Sequence, residues 1–181
     1  KAIVSNTNAD ILNQGIMTAD TIVLGANDVE NTGRIDGRKV TIKASQDVIN
    51  TGNIHGEKQV NINVGRDINV GAHVNRLQHH DIVGRQGTIS VGEKGDLVLS
   101  AKRDVNLKGA IVYTGDNSKA TIEAGQNINL TTEALSAKKD MTVNSENYNR
   151  TDRRTELGTA ILSDSNVNLH AGNDVNIRFT C

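Results

Sequence analysis

Apolar and polar residues alternate in short runs that recur along the whole chain: "IVLGA" from Ile22, "VTIKA" from Val40, "VNINV" from Val60, "LVLSA" from Leu97, "ATIEA" from Ala120, "MTVNS" from Met141 and "VNLHA" from Val167. Neighbouring side chains of a strand point to opposite faces, so Val40, Ile42 and Ala44 share a dry face while Thr41 and Lys43 face water. An anchor step follows six of these runs, at Asp28-Val29, Asp47-Val48, Asp67-Ile68, Asp104-Val105, Asn127-Ile128 and Asp174-Val175, and Asp10-Ile11 is the earliest copy. A third, shorter element is bounded by glycines, as in "TGRIDG" and "TGNIHG", and is centred on Ile16, Ile35 and Ile54.

The first four anchors are 18, 19 and 20 residues apart. That period suits the coil of a β-solenoid and is too short for a repeat of helix pairs. Glycines at the corners supply sharp turns, and the absence of Pro leaves every ladder donor in place. One coil cannot bury its inward residues alone, so coils must stack and hydrogen-bond along an axis. The pattern predicts an all-β chain folded as a right-handed parallel β-helix, with about seven to eight coils of roughly 20 residues and three short strands per coil. One inward column is predicted to hold Ile42, Ile62, Leu99, Ile122, Val143 and Leu169. Asn13, Asn31 and Asn50 each follow an anchor Asp by three residues, so stacking would align them as a structural ladder at a corner.

Two stretches break the period. Asp67 and Asp104 are 37 residues apart, and the surplus is "GAHVNRLQHHDIVGRQ", about 71–86. If Asn147 takes the anchor position, 27 residues separate it from Asp174, and the surplus falls at 147–158, "NYNRTDRRTELG". Insertions in solenoids project from the body and often carry the binding face. His73, Arg76, His79 and His80 in the first, with Tyr148, Arg150, Arg153 and Arg154 in the second, are therefore the candidate partner-binding residues. Residues 1–181 read as a single β-helical segment of a longer protein, because the pattern is already running at Lys1 and a further copy opens at Asn173-Asp174.

Composition narrows the chemistry. Aromatic residues are 2% of 181 and apolar ones 36%, which fits strands packing small aliphatic side chains. A formal charge of −1 gives no field to draw nucleic acid or anionic lipid. No apolar run has the length of a membrane span, and Lys1-Ala2-Ile3-Val4-Ser5 does not read as a signal peptide. One cysteine, Cys181, makes neither a disulfide framework nor a metal cluster. The three histidines of the first insertion lack the spacing of a zinc site, and "AGNDVNI" and "VGRDINV" depart from the calcium-binding nonapeptide pattern. No metal or cofactor is expected. Catalysis on a β-helix would need clustered carboxylates in an open groove, for which Asp47, Glu57, Asp67, Glu93 and Asp96 are the material; their spacing singles out no acid, base or nucleophile.

The runs "AGNDVNI" at 171–177, "AGQNINL" at 124–130, "AKRDVNL" at 101–107 and "NTGNIHG" at 50–56 resemble haemagglutinin repeats of the filamentous haemagglutinin family. These are exoproteins of Gram-negative two-partner secretion systems, among them adhesins and the stick-like effectors of contact-dependent growth inhibition. "VENT" at 29–32 is close to the VENN tetrapeptide that precedes toxin domains, but its fourth residue differs and it sits in repeat register. The resemblance implies export by an outer-membrane transporter, a location on or outside the cell surface, and work as stalk, adhesin or receptor-binding segment against a protein or glycan on a host or neighbouring cell. The alternative is a carbohydrate-processing β-helix.

Overall fold

The computed structural model describes residues 1–144 and 147–178, with side chains described for 1–138 and 150–178. Among these the regular elements are all strands, and they form a parallel β-helix. The anchor residues open the first face, where Ile11–Asn13, Val29–Asn31, Val48–Asn50, Ile68–Arg76, Val105–Lys108, Ile128–Thr131 and Val175–Ile177 stack in that order. The other two faces belong to one larger sheet. In the early coils a single strand covers both, as Ile16–Ala26, Arg34–Ala44 and Asn53–Val64; from Thr88–Val91 and Asp96–Ala101 onward the two are separate strands.

Apolar columns fill the interior. Ile42, Ile62, Leu99, Ile122 and Leu169 stand in register, the first four fully buried and Leu169 partly so. Val143 does not join them. Its strand, Glu133–Asn144, pairs antiparallel with Asn147–Leu157 outside the body, and Ile122 is followed directly by Leu169. Alternation with a period of two describes a hairpin strand and a coil strand equally well; only the partner differs. The second excursion is thus Glu133–Leu157, not 147–158, and Asn147 is no anchor. On the second face the column runs Met17, Ile35, Ile54, Ile89, Val112, Ile161. Ile16 is displaced from that centre and 75% exposed, because Gly15 aligns with Gly33 and so Ile16 falls opposite Arg34.

Polar columns hold the corners. Each anchor carboxylate accepts, through Oδ1, the backbone N–H of the next coil's anchor: Asp28 to Asp10, Asp47 to Asp28, Asp67 to Asp47, Asp104 to Asp67 and Asn127 to Asp104, at 2.9–3.1 Å. The Oδ1 of Asn127 does the same for Asp174 at 3.2 Å. At the end of each first-face strand Asn13, Asn31 and Asn50 lie buried and linked, Asn13 Nδ2 donating to Asn31 Oδ1 at 2.8 Å and Asn31 Nδ2 to Asn50 Oδ1 at 2.9 Å. Their Nδ2 groups also reach turn carbonyls, Asn13 to Arg34, Asn31 to Asn53 and Asn50 to Thr88, at 3.0–3.1 Å. A second amide row, Asn69, Asn106, Asn129 and Asn176, is linked outside the same face at 2.8–2.9 Å.

Asn31 has a bonded amide above and below it, whereas Asn50 is followed in register by Val70. Replacing Asn31 with Ala breaks two links of the column, although the Asn13 amide keeps the Gly15 and Arg34 carbonyls and the Asn50 oxygen keeps the Gly52 N–H. It is expected to cost about 2–3 kcal/mol, against about 1–2 for Asn50→Ala, which breaks one link, since each hydrogen bond contributes on the order of 0.5–1.5 kcal/mol. Chemical denaturation of both variants reads the difference; equal losses would show that the links along the column contribute nothing.

Candidate functional site

Both excursions leave the body at one corner, the passage from the first face to the second. Gly71, Lys108 and Thr131 are register partners at the end of the first face, and Thr88, Ile111 and Ala160 are partners at the start of the second. Between Lys108 and Ile111 stand only Gly109 and Ala110. In the coil before, the same gap holds a hairpin in which Ile68–Arg76 folds back on Asp81–Gln86; in the coil after, it holds the hairpin of Glu133–Asn144 and Asn147–Leu157. The buried Asn column ends where these excursions begin: Val70, Leu107, Leu130 and Ile177 continue it. The tight corners after Asn13, Asn31 and Asn50 carry the amide, whereas the two open corners and the short one between them carry an aliphatic side chain, Val70, Leu130 and Leu107.

One coil apart on either side of a short turn, the hairpins meet. Gly109 makes this possible twice over. Its φ of +63° is one that glycine adopts without strain, and a Cβ there would lie 3.0 Å from the Cβ of Glu133, with Ala72 and Leu157 at 3.5 Å. Thr159 seals the root of the second hairpin, its Oγ1 lying 2.9 Å from the Leu107 carbonyl and 2.8 Å from that of Thr131. Gln86 reaches from the first hairpin to the carbonyls of Gly109 and Gly158.

Farther out, Arg76 and Asp81 clamp the two together. The Arg76 guanidinium donates to Asp81 Oδ2 at 2.8 Å, to the Ala134 carbonyl at 3.2 Å and to Glu133; Lys108 adds a second cation 3.4 Å from Glu133. Asp81, its side chain 6% exposed, accepts the Ser136 N–H at 2.8 Å and lies 3.2 Å from the Ser136 hydroxyl. The backbone bond from Ser136, then its hydroxyl and the Arg76 charge, hold the Asp81 carboxyl below the usual range against the effect of burial. At the tip, Lys138 N–H donates to the His79 carbonyl at 2.6 Å and His80 bridges Ala137.

The sequence-derived candidates therefore divide. Arg76 is consumed by the clamp, and His79 and His80 contribute backbone to the junction. His73 pairs with Arg85 across the first hairpin. On the second, Arg150 lies 3.7 Å from Asp152 and Arg154 3.7 Å from Glu156, both cations largely exposed, and Arg153 is exposed. Glu156 also holds Thr132 and Arg178, fastening the hairpin to the last described coil. Tyr148 lies in the paired backbone, opposite Thr142, with its side chain outside the described residues. Nothing along the chain marks Asp81, Glu133, Ser136 or Gly109: Arg76 and Glu133 are 57 residues apart, and no spacing announces their meeting.

Neither of two surface grooves gathers carboxylates. The first groove, of about 620 Å3, and the second, of about 820 Å3, are both lined without an Asp or Glu. A carboxylate pair does occur elsewhere, in the turns of successive coils, where the charge and hydrogen bond of Asp164, followed by burial and Glu93, raise the Asp116 carboxyl. Among the described residues no group of three or more His, Cys, Asp or Glu is arranged to hold a metal ion, and no helix is long and apolar enough to cross a membrane.

A family model described as "Hemagglutinin repeat" matches residues 81–178, more than half of the chain, from the return strand of the first hairpin through the later coils and the second hairpin. No curated protein and no solved structure matches the chain.

Because the folded Asp81 carboxyl titrates below its unfolded value, its contribution to the clamp is complete above the ordinary carboxylate range and is lost as pH falls through the lower, folded value. Asp81→Asn is expected to raise amide exchange at Ser136 at neutral pH, and the gap from the parent to close in strong acid. Unchanged exchange at neutral pH would remove Asp81 from the junction. Gly109→Ala, strained in φ and crowded, is expected to cost about 1–2 kcal/mol by thermal melting.

Proposed function

Since the chain belongs to the haemagglutinin-repeat family, a structural repeat of the filamentous haemagglutinin type, we propose that it is an adhesive filament segment of a secreted Gram-negative surface exoprotein. In this reading an outer-membrane two-partner-secretion transporter exports the chain, the coils set reach, and the joined hairpins contact a receptor on a host or neighbouring cell. One observation carries it: the two long departures from a repetitive surface rise from one corner and are fastened into one head. Repetitive faces offer little that a receptor could distinguish, whereas the head presents Arg153, Arg154 and the first hairpin's histidines, groups that make directional contacts. A single cysteine leaves no disulfide within the chain to hold it folded before passage through a pore. The head serves an adhesin or a growth-inhibition effector equally well.

Joining Gly71 to Gly87, whose N–H and carbonyl already meet at 2.8 Å, through a short Gly-containing turn removes the first hairpin; Thr132 and Gly158 can be joined in the same way. Adhesion of cells bearing each trimmed exoprotein is the measurement. Loss of either hairpin is expected to weaken adhesion nearly as much as loss of both, as coupled parts of one unit do. Full adhesion by trimmed proteins that are secreted and folded would make this segment a spacer.

A further inference from the structure

Along the same corner, before the hairpins, the surface sinks into the 620 Å3 groove, which spans four successive coils. Gly15, Gly33 and Gly52 form its floor, the first hairpin's Arg85 and Gln86 its wall. Gly33 and Gly52 are required by the stacking, since a Cβ there would lie 2.0 and 2.2 Å from the carbonyl oxygen of the preceding turn, while a Cβ on Gly15 would meet nothing within 4 Å. The turns therefore lie close together and leave a flat strip of backbone. The floor's own carbonyls are already taken: Gly15 accepts from Arg34 N–H, Gly33 from Asn53 and Gly52 from Thr88, at 2.8–2.9 Å. Recognition must therefore come from side chains.

Those side chains offer a defined set of groups. Arg85 is positioned by its Nε, which donates to the Thr51 carbonyl at 3.1 Å, and among the described residues no carboxylate stands within ion-pair distance of its guanidinium. Thr51 itself buries its Oγ1 with no hydrogen-bond partner among the described residues. Arg34 also lines the groove and shares its charge with Asp36, 2.6 Å away. Asn53 spends an amide N–H on Thr88 Oγ1 at 2.7 Å, and Gln86 points its Nε2 at Gly109 and Gly158. Each is left with a carbonyl oxygen to accept from a hydroxyl. Cation, acceptors and flat floor, with no Asp or Glu in the lining, describe a site for rings bearing hydroxyls and a carboxylate.

We propose that this groove binds a linear oligosaccharide containing uronic acids. A linear chain is favoured over a single terminal acidic sugar because the lining comes from four coils, and coils repeat at about 4.8 Å, close to the length of one sugar in an extended chain. The carboxylate pairs with Arg85, the ring hydroxyls donate to Asn53 and Gln86, and Tyr113, 51% exposed on the same face one coil beyond Ser90, provides a ring surface on which a further sugar stacks.

The test is calorimetric titration of the chain with oligogalacturonates of increasing length, their methyl esters, and sialyllactose. Affinity is expected to rise with length over the first few sugars and to fall with added salt. It should drop about tenfold on esterification and by a similar factor in Arg85→Gln, the loss of one charge-assisted hydrogen bond. Arg85→Lys should recover part of it. Arg34→Gln, in the stacked body, provides a second reading should Arg85→Gln disturb its hairpin, which circular dichroism would reveal. No binding, equal binding of acid and ester, preference for sialyllactose without a length effect, or full affinity in both folded arginine variants would each overturn the proposal. Arg85 takes no part in the clamp between the hairpins, so these outcomes are separable from loss of adhesion through the head.

Discussion

Hydrogen bonds along the axis are what the rest of this molecule depends on. No coil satisfies itself: strand N–H and C=O groups pair with the coils on either side, and so do the polar side chains that hold the corners. An anchor Asp serves the next coil's N–H, and Asn31 serves one amide and is served by another. Such groups are costly only when left over. A stack therefore keeps its buried polar atoms cheap as long as register is kept, and a slip by one residue would turn every column out of the core at once. The small aliphatic interior follows from the same constraint, because only side chains of similar size at equivalent positions stack without gaps.

The corner between the first two faces shows how a regular body tolerates irregular growth. In the first coils a buried amide closes each turn by bonding its carbonyls. Where Val70, Leu107 and Leu130 replace it, the turn loses that internal fastening and the backbone is held by other means: Gly109 at positive φ, the Thr159 hydroxyl, and the roots of two hairpins. The excursions then cost the stack little, because strands on both sides of the corner keep their ladder partners.

Much of the fold could be read in the sequence, because columns are written directly as period and alternation. The anchors, the buried Asn residues and five members of the core column stand at equivalent positions in successive coils. The failures share one cause. Alternation tells which side of a strand is dry but not which strand lies beside it, so Val143 and its neighbours read like coil and pair instead within a hairpin. The second-face element of the first coil centres on Met17 and not on Ile16, because an apolar residue at the edge of a short element obscures its centre. The head was less legible still. Its residues were visible as departures from the period, but Arg76 meeting Glu133, or Ser136 meeting Asp81, is a fact of two coils brought together and has no signature along the chain.

Because every excursion among the described residues leaves from one corner, the rod has a front. A cylinder decorated on all sides would present the same surface in any roll about its long axis; this one presents its ridge in only one, and the other two sides stay plain. Angular position about the axis, quite apart from distance along it, thus becomes a property on which substitutions at a single glycine-bearing turn can act.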